Sequence, residues 1–202
     1  DSSVTELTEA GSDALGFTVD VQNEEDVSEL FDIIRESENH LDGLIHAAGI
    51  LEGAFIPIDE FEELTWDRVV DINLKGSFLL SKYAVPLLEA SEAGVLILIS
   101  SGAGVKGGSS SIAYGSSKGG VHGLALVMAS QLASRNIRVH AVCPGALATP
   151  LKLHVVQRQA DETGKKAEDL AANLGDPEGV GKILSFLVSS DADYLRGTVF
   201  TR

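Results

Sequence analysis

The run Val95-Leu96-Ile97-Leu98-Ile99 constrains the fold more than any other stretch of this chain. Five consecutive apolar residues leave neither face of a strand for water, and such strands lie inside parallel sheets covered by helices on both sides. Residues 41–47 and 137–142 read as two further buried strands. Amphipathic helices separate these runs. Val27, Leu30, Phe31 and Ile34 recur at helical spacing behind Asn23, a suitable N-cap, with Glu24, Glu25 and Asp26 in the first turn. Val180, Ile183, Leu184, Leu187 and Val188 form a second stripe behind Asp176 as cap and Pro177 at the first helical position. Strands alternating with helices predict an α/β fold, a doubly wound parallel sheet in one domain.

Weaker signals fill in the rest. Residues 17–21 alternate and read as a short strand ending in Asp20-Val21, and residues 198–201 read as the last strand. Thr65 is the expected cap of a long helix reaching about Ala90, its final turn bent by Pro86. Residues 50–63 read as a loop with one helical turn, and residues 151–174, polar and weakly periodic, as a lid over a substrate. The first sixteen residues give only a possible helix end and a turn at Gly16.

Chemistry concentrates after the central run. Ser100-Ser101 ends the strand, a glycine-rich loop follows, and a helix is predicted from about Ile112. Tyr114 and Lys118 are four residues apart and so share one helix face. Ser101 stands at the carboxyl end of a strand, where open α/β sheets bind ligands. A free phenol titrates near 10, and an ammonium one turn away favours the phenolate. A depression of three units needs roughly 4 kcal/mol of differential stabilisation. Tyr114 is therefore the candidate general acid/base, and Ser101 the group that holds a carbonyl or alcohol oxygen.

A Tyr-x-x-x-Lys pair alone is a weak signal, but its setting is specific. Ser101, Tyr114 and Lys118 resemble, in order and spacing, the catalytic serine and YxxxK motif of the short-chain dehydrogenase/reductase family in its classical form. Asn73, within Asp71-Ile72-Asn73-Leu74-Lys75-Gly76, resembles the family's catalytic asparagine. His46-Ala47-Ala48-Gly49 is similar to its NNAG, with both asparagines replaced, and Pro144-Gly145-Ala146-Leu147-Ala148-Thr149 to its PGxxxT. The resemblance implies an oxidoreductase interconverting a secondary alcohol and a carbonyl with NAD or NADP, on a small-molecule substrate, in a homo-oligomer packed through its two long helices. Cofactor contacts are implied at Asp20 and Val21 near the adenine, at Ala47, Ala48 and Gly49, at Tyr114 and Lys118, and at Pro144, Gly145, Leu147 and Thr149 near the nicotinamide. Asn73 is implied to support a proton relay.

Composition excludes several alternatives. A net charge of −15 with no basic stripe argues against nucleic acid or an anionic membrane as partner. One cysteine, Cys143, rules out an internal disulfide framework, suits a reducing compartment and reads as structural. His46 reads as a packed strand residue, and no metal site is expected. No apolar run approaches a membrane span and no signal peptide opens the sequence, so a cytoplasmic location is expected.

A dinucleotide fold ordinarily opens with a strand, a glycine-rich turn and a helix whose amino end receives the pyrophosphate. The TGxxxGxG pattern has no counterpart here, so the chain reads as a fragment or truncated product lacking its first two strands. In the family's strand order the absent strands stand between residues 17–21 and 41–47, leaving an expected gap of roughly 14 Å and weak dinucleotide binding. Without those residues the choice between NAD and NADP stays open. So do two other functions: a non-catalytic interaction subunit, suggested by the lost amides at 46 and 47, and an isomerase or lyase of the extended nucleotide-sugar group, which also carries YxxxK.

Overall fold

The computed structural model describes residues 2–201. Four parallel strands form one sheet in the order β1-β2-β3-β4: β1 Gly43–His46, β2 Val95–Ile99, β3 Arg138–Cys143 and β4 Gly197–Phe200. Leu96 pairs with Leu44 on one side and Val139 on the other, and Val142 pairs with Val199.

The alternation of side chains along β2 and β3 builds two cores. Leu96, Leu98, Val139, Ala141 and Cys143 point to one face, where they meet α2 (Glu24–Glu38), α4 (Gly76–Glu89) and α6 (Ile112–Leu132). Val95, Ile97 and Val142 point to the other, against Leu187 and its neighbours on α9 (Pro177–Val188). The sheet is covered on both sides, as an uninterrupted apolar strand requires. The expected caps at both ends of this arrangement form: Asn23 accepts from the Glu25 amide, and Asp176 from the Glu178 amide.

Several expectations are corrected. Residues 17–21 are not a strand. Among the described residues no strand pairs with them, and an extended segment without one cannot satisfy its backbone groups by strand pairing. The segment instead turns into α2, the Asp20 amide donating to Asp26 Oδ2 and the Asn23 amide to the Asp20 carbonyl. Val19 and Val21 still pack against the helical core. The cap proposed at Thr65 lies inside α3 (Glu63–Val70), which starts after Glu62 without a side-chain cap. Residues 151–174 hold two helices, α7 (Pro150–Thr163) and α8 (Ala167–Ala171), and a helix over Ser2–Glu9, α1, occupies the stretch left unassigned. Pro86 is accommodated inside α4.

Between α3 and α4 the helix widens into a π turn at Asp71–Lys75. Such turns frequently mark functional positions, and this one carries Asn73. The glycine-rich loop after β2 also forms a short helix, α5 (Gly102–Lys106), capped by Ser101. Gly107 and Gly108 then both take positive φ, at 80° and 81°, which turns the chain towards α6.

Candidate active site

The end of β2 puts Ser101 beside α6. Its Oγ accepts from the Ala103 amide at 3.2 Å, and its hydroxyl acts on the Tyr114 phenol in the direction that favours the phenolate. α6 is capped by Ser111, whose Oγ accepts from the Tyr114 amide, so the phenol is set in the first turn. One turn on, Lys118 runs inward: its Nζ donates to the Ile99 carbonyl at 2.7 Å and stands 6.0 Å from the centre of the Tyr114 ring. Ser100 fixes the same turn by donating to the Lys118 carbonyl at 2.7 Å. A backbone contact makes this closeness possible. A Cβ on Gly104 of α5 would lie 2.5 Å from the Gly119 nitrogen, so α5 rests directly on α6.

Asn73 is fully buried behind this group. Its side-chain oxygen accepts from the Ile50 amide at 2.8 Å, and its Nδ2 donates to the Ile50 carbonyl and to Ser117 Oγ, both at 2.9 Å. The π turn and the loop after β1 are thereby tied to α6. Gly49 shares this corner: a Cβ there would sit 3.1 Å from Asn73 Oδ1 and 3.2 Å from Lys118 Nζ.

Burial governs the electrostatics. The Tyr114 phenol is pushed above its usual value by desolvation, with the Ser101 hydroxyl pulling partly the other way. This corrects the expected depression by Lys118. The ammonium is itself desolvated, its pKa lowered to about 8, and it spends a hydrogen bond on Ile99. Burial, with Lys118 second, lowers His46 to about 4, so it stays neutral as a packed strand residue. Cys143 is buried with its thiol pushed up, an unreactive wall residue.

Ser101, Tyr114 and Lys118 open onto one cavity of about 660 Å³, which Ala47, Gly49, Pro144, Gly145, Leu147 and Thr149 also line. Ala48 does not line it, and Asn73 supports its wall from behind. Asp20 and Val21 lie elsewhere: the Asp20 carboxylate accepts from the amide and side chain of Gln22, and Val21 packs on Gly76. Lys106, Lys152, Phe200 and Thr201 are among the other lining residues, and none of them carries a site expectation from the sequence. Ser117 also escaped notice, although its place between Tyr114 and Lys118 was a usable signal. Among the described residues there is no metal-ligating group of three or more, and no helix long and apolar enough to cross a membrane.

A hydroxyl, a phenol and an ammonium are gathered around one cavity at the strand ends of a two-faced parallel sheet, in a Rossmann-like fold. Relatives carry the assignment further. A family profile described as enoyl-(acyl carrier protein) reductase matches residues 1–201. The 3-oxoacyl-[acyl-carrier-protein] reductase of Thermotoga maritima is 32% identical over 183 residues, covering 91% of this chain and 73% of that protein. Among solved structures, an actinorhodin polyketide ketoreductase with NADPH superimposes with a TM-score of 0.90 at 27% identity, over 98% of this chain and 80% of that one. An NAD+-bound xylitol dehydrogenase gives 0.89 at 27% identity, over 98% and 81%. The chain belongs to the short-chain dehydrogenase/reductase family.

The nicotinamide cofactor that this family implies can be tested against the residues present. Gly49 leaves open the space a side chain would fill beside Lys118 and Asn73, and the Pro144–Thr149 turn faces the same cavity. These residues fit a nicotinamide and its ribose. Asp20 and Val21 are outside the cavity, so the fit is to that end of the molecule.

Proposed function

We propose that this chain is an NAD- or NADP-dependent oxidoreductase that interconverts an alcohol and a carbonyl on a small molecule, with Tyr114 as general acid/base. The observation that carries the reading is that Ser101 and Tyr114 line one cavity with Lys118 one turn behind the phenol, its Nζ 6.0 Å from the ring centre. When bound, the cofactor supplies or accepts the hydride. Everything else falls to side chains.

Ser101 holds the substrate oxygen within reach of the Tyr114 phenol. In the reducing direction the phenol donates its proton to that oxygen as negative charge develops there, and in the oxidising direction the phenolate takes it back. The raised pKa keeps Tyr114 protonated at neutral pH, ready as an acid. Lys118 places positive charge beneath the ring and is the residue to hold the nicotinamide ribose, with Gly49 and the 144–149 turn around it. Asn73 keeps Ile50 and Ser117 fixed against α6 and supports proton exchange on the Lys118 side.

Tyr114→Phe tests the reading. Removing only the phenolic oxygen should lower turnover by a factor of about 10² to 10⁴, while calorimetric affinity for NADH or NADPH stays close to that of the parent. Unchanged turnover would remove Tyr114 from the mechanism.

Phe78 on α4 and Val127 on α6 are exposed at 48% and 57%. Burial of such residues on the two long helices supports a homo-oligomer, whose mass light scattering reads directly. A cytoplasmic location fits the single buried thiol, and fractionation checks it.

A further inference from the structure

We infer that the substrate carries an anionic group, a carboxylate or a phosphate, held at the cavity wall by Lys106 and Lys152. The inference rests on the oxidoreductase reading and names the substrate class of that same site. Acidic residues outnumber basic ones two to one in this chain, 30 against 15. Yet among the described residues no Asp or Glu lines the cavity, whereas Lys106, Lys118 and Lys152 do. Several basic side chains elsewhere pair with carboxylates, as in Lys82–Glu24, Arg68–Glu52 and Lys182–Glu178. Lys106 and Lys152 have no such partner among the described residues.

Both lysines are set by the elements that build the site. Lys106 ends α5, the helix that Ser101 caps, and its Nζ lies 4.4 Å from the centre of the Phe200 ring, another lining residue. Lys152 is in the first turn of α7, its amide held by Thr149 Oγ1. A cavity that is half-enclosed, apolar over much of its wall and free of carboxylates strengthens the attraction between an ammonium and an anion relative to open water. An acid in place of either lysine would be an ordinary outcome for so acidic a chain, and it is absent.

The test uses matched pairs: 4-oxopentanoate against its methyl ester for the carboxylate, and hydroxyacetone phosphate against hydroxyacetone for the phosphate. Binding is read by calorimetry and turnover with NADH and NADPH. The charged member of at least one pair should bind tenfold or more tightly than its neutral partner, and K106Q/K152Q should reduce that preference by about tenfold, equivalent to about 1.4 kcal/mol. The arm that shows the preference distinguishes carboxylate from phosphate. Equal binding within both pairs overturns the inference. So does a double variant that weakens only NADH or NADPH binding, since the lysines then serve the cofactor. Selective binding of the charged member without turnover leaves the anion site standing and sinks the oxidoreductase reading instead.

Discussion

His140 offers a measurable consequence of the way β3 is buried. Its side chain is fully buried, and neither imidazole nitrogen has a hydrogen-bond partner. Desolvation is the first cause of a pKa lowered to about 4, the Arg138 and Arg196 guanidiniums add to it, and the Gly197 backbone opposes it. The unfolded chain takes up this proton near pH 6.5. Stability is therefore fully present above that value and is lost as pH falls from 6.5 towards 4, where the unfolded state binds the extra proton. Between pH 7.5 and 5.5 the loss from this one group is about 1–2 kcal/mol. His140→Leu keeps roughly the same volume and removes the titration along with two unpartnered nitrogens. Urea unfolding at the two pH values should show the variant losing about 1–2 kcal/mol less than the parent on acidification, a midpoint difference of roughly 0.5–1 M. Carboxylates titrate alike in both proteins and cancel in the comparison. Equal losses in the two proteins would refute the assignment of a neutral, desolvated imidazole.

Three further outcomes follow from the site. Gly104→Ala must move α5 off the Gly119 backbone by roughly 1 Å and carry Ser101 with it; kcat/KM should fall about 100-fold, with a lowered Tm, and unaltered kinetics would show that the α5–α6 contact does not position Ser101. Asn73→Ala leaves the Ile50 amide and carbonyl and Ser117 without their buried partner, which should lower the unfolding free energy by about 2–4 kcal/mol in urea titration; a loss under 1 kcal/mol would mean that water replaces it freely. Because Tyr114 is raised and Lys118 keeps its charge only below about pH 8, carbonyl reduction should be flat up to that pH and decline above it, whereas alcohol oxidation should rise with pH as phenolate forms. An oxidation maximum at pH 6–7 would contradict those directions.

What the sequence revealed tracks how local each determinant is. β2 was legible because an all-apolar run has one stable environment, and α2 and α9 because stripe and cap agree at each. The Ser101, Tyr114 and Lys118 grouping was legible from spacing along one strand and one helix. Residues 17–21 failed for the opposite reason: alternation states what a strand would look like, while the partner that makes it one lies outside the segment. The π turn at Asp71–Lys75 and the α5 helix were hidden because helix propensity does not register an extra residue per turn, and Gly102-Ala103-Gly104 reads as loop until α6 is there to pack on. Lys106 and Lys152 are 46 positions apart, so only the fold brings them to one wall.

The direction of the Tyr114 shift follows from the same distinction. Spacing along α6 places an ammonium one turn from a phenol, and in water that neighbour alone would favour the phenolate. Folding adds what spacing omits: both groups leave water, and desolvation penalises the charged form of each, raising the phenol and lowering the amine. The Ile99 carbonyl then accepts from Lys118 Nζ, directing its charge towards the end of β2. Ser101 is the group left to favour the phenolate in this structure, and its place depends on α5 resting against Gly119. Control of the proton at Tyr114 therefore passes through the contact between Gly104 and Gly119, fifteen residues apart in sequence, as much as through Lys118 itself, and Gly104→Ala should shift the pH profile of alcohol oxidation upward as well as reduce its rate. A variant that slows turnover while leaving that profile in place would separate Ser101's positioning of the substrate from any influence on the phenol.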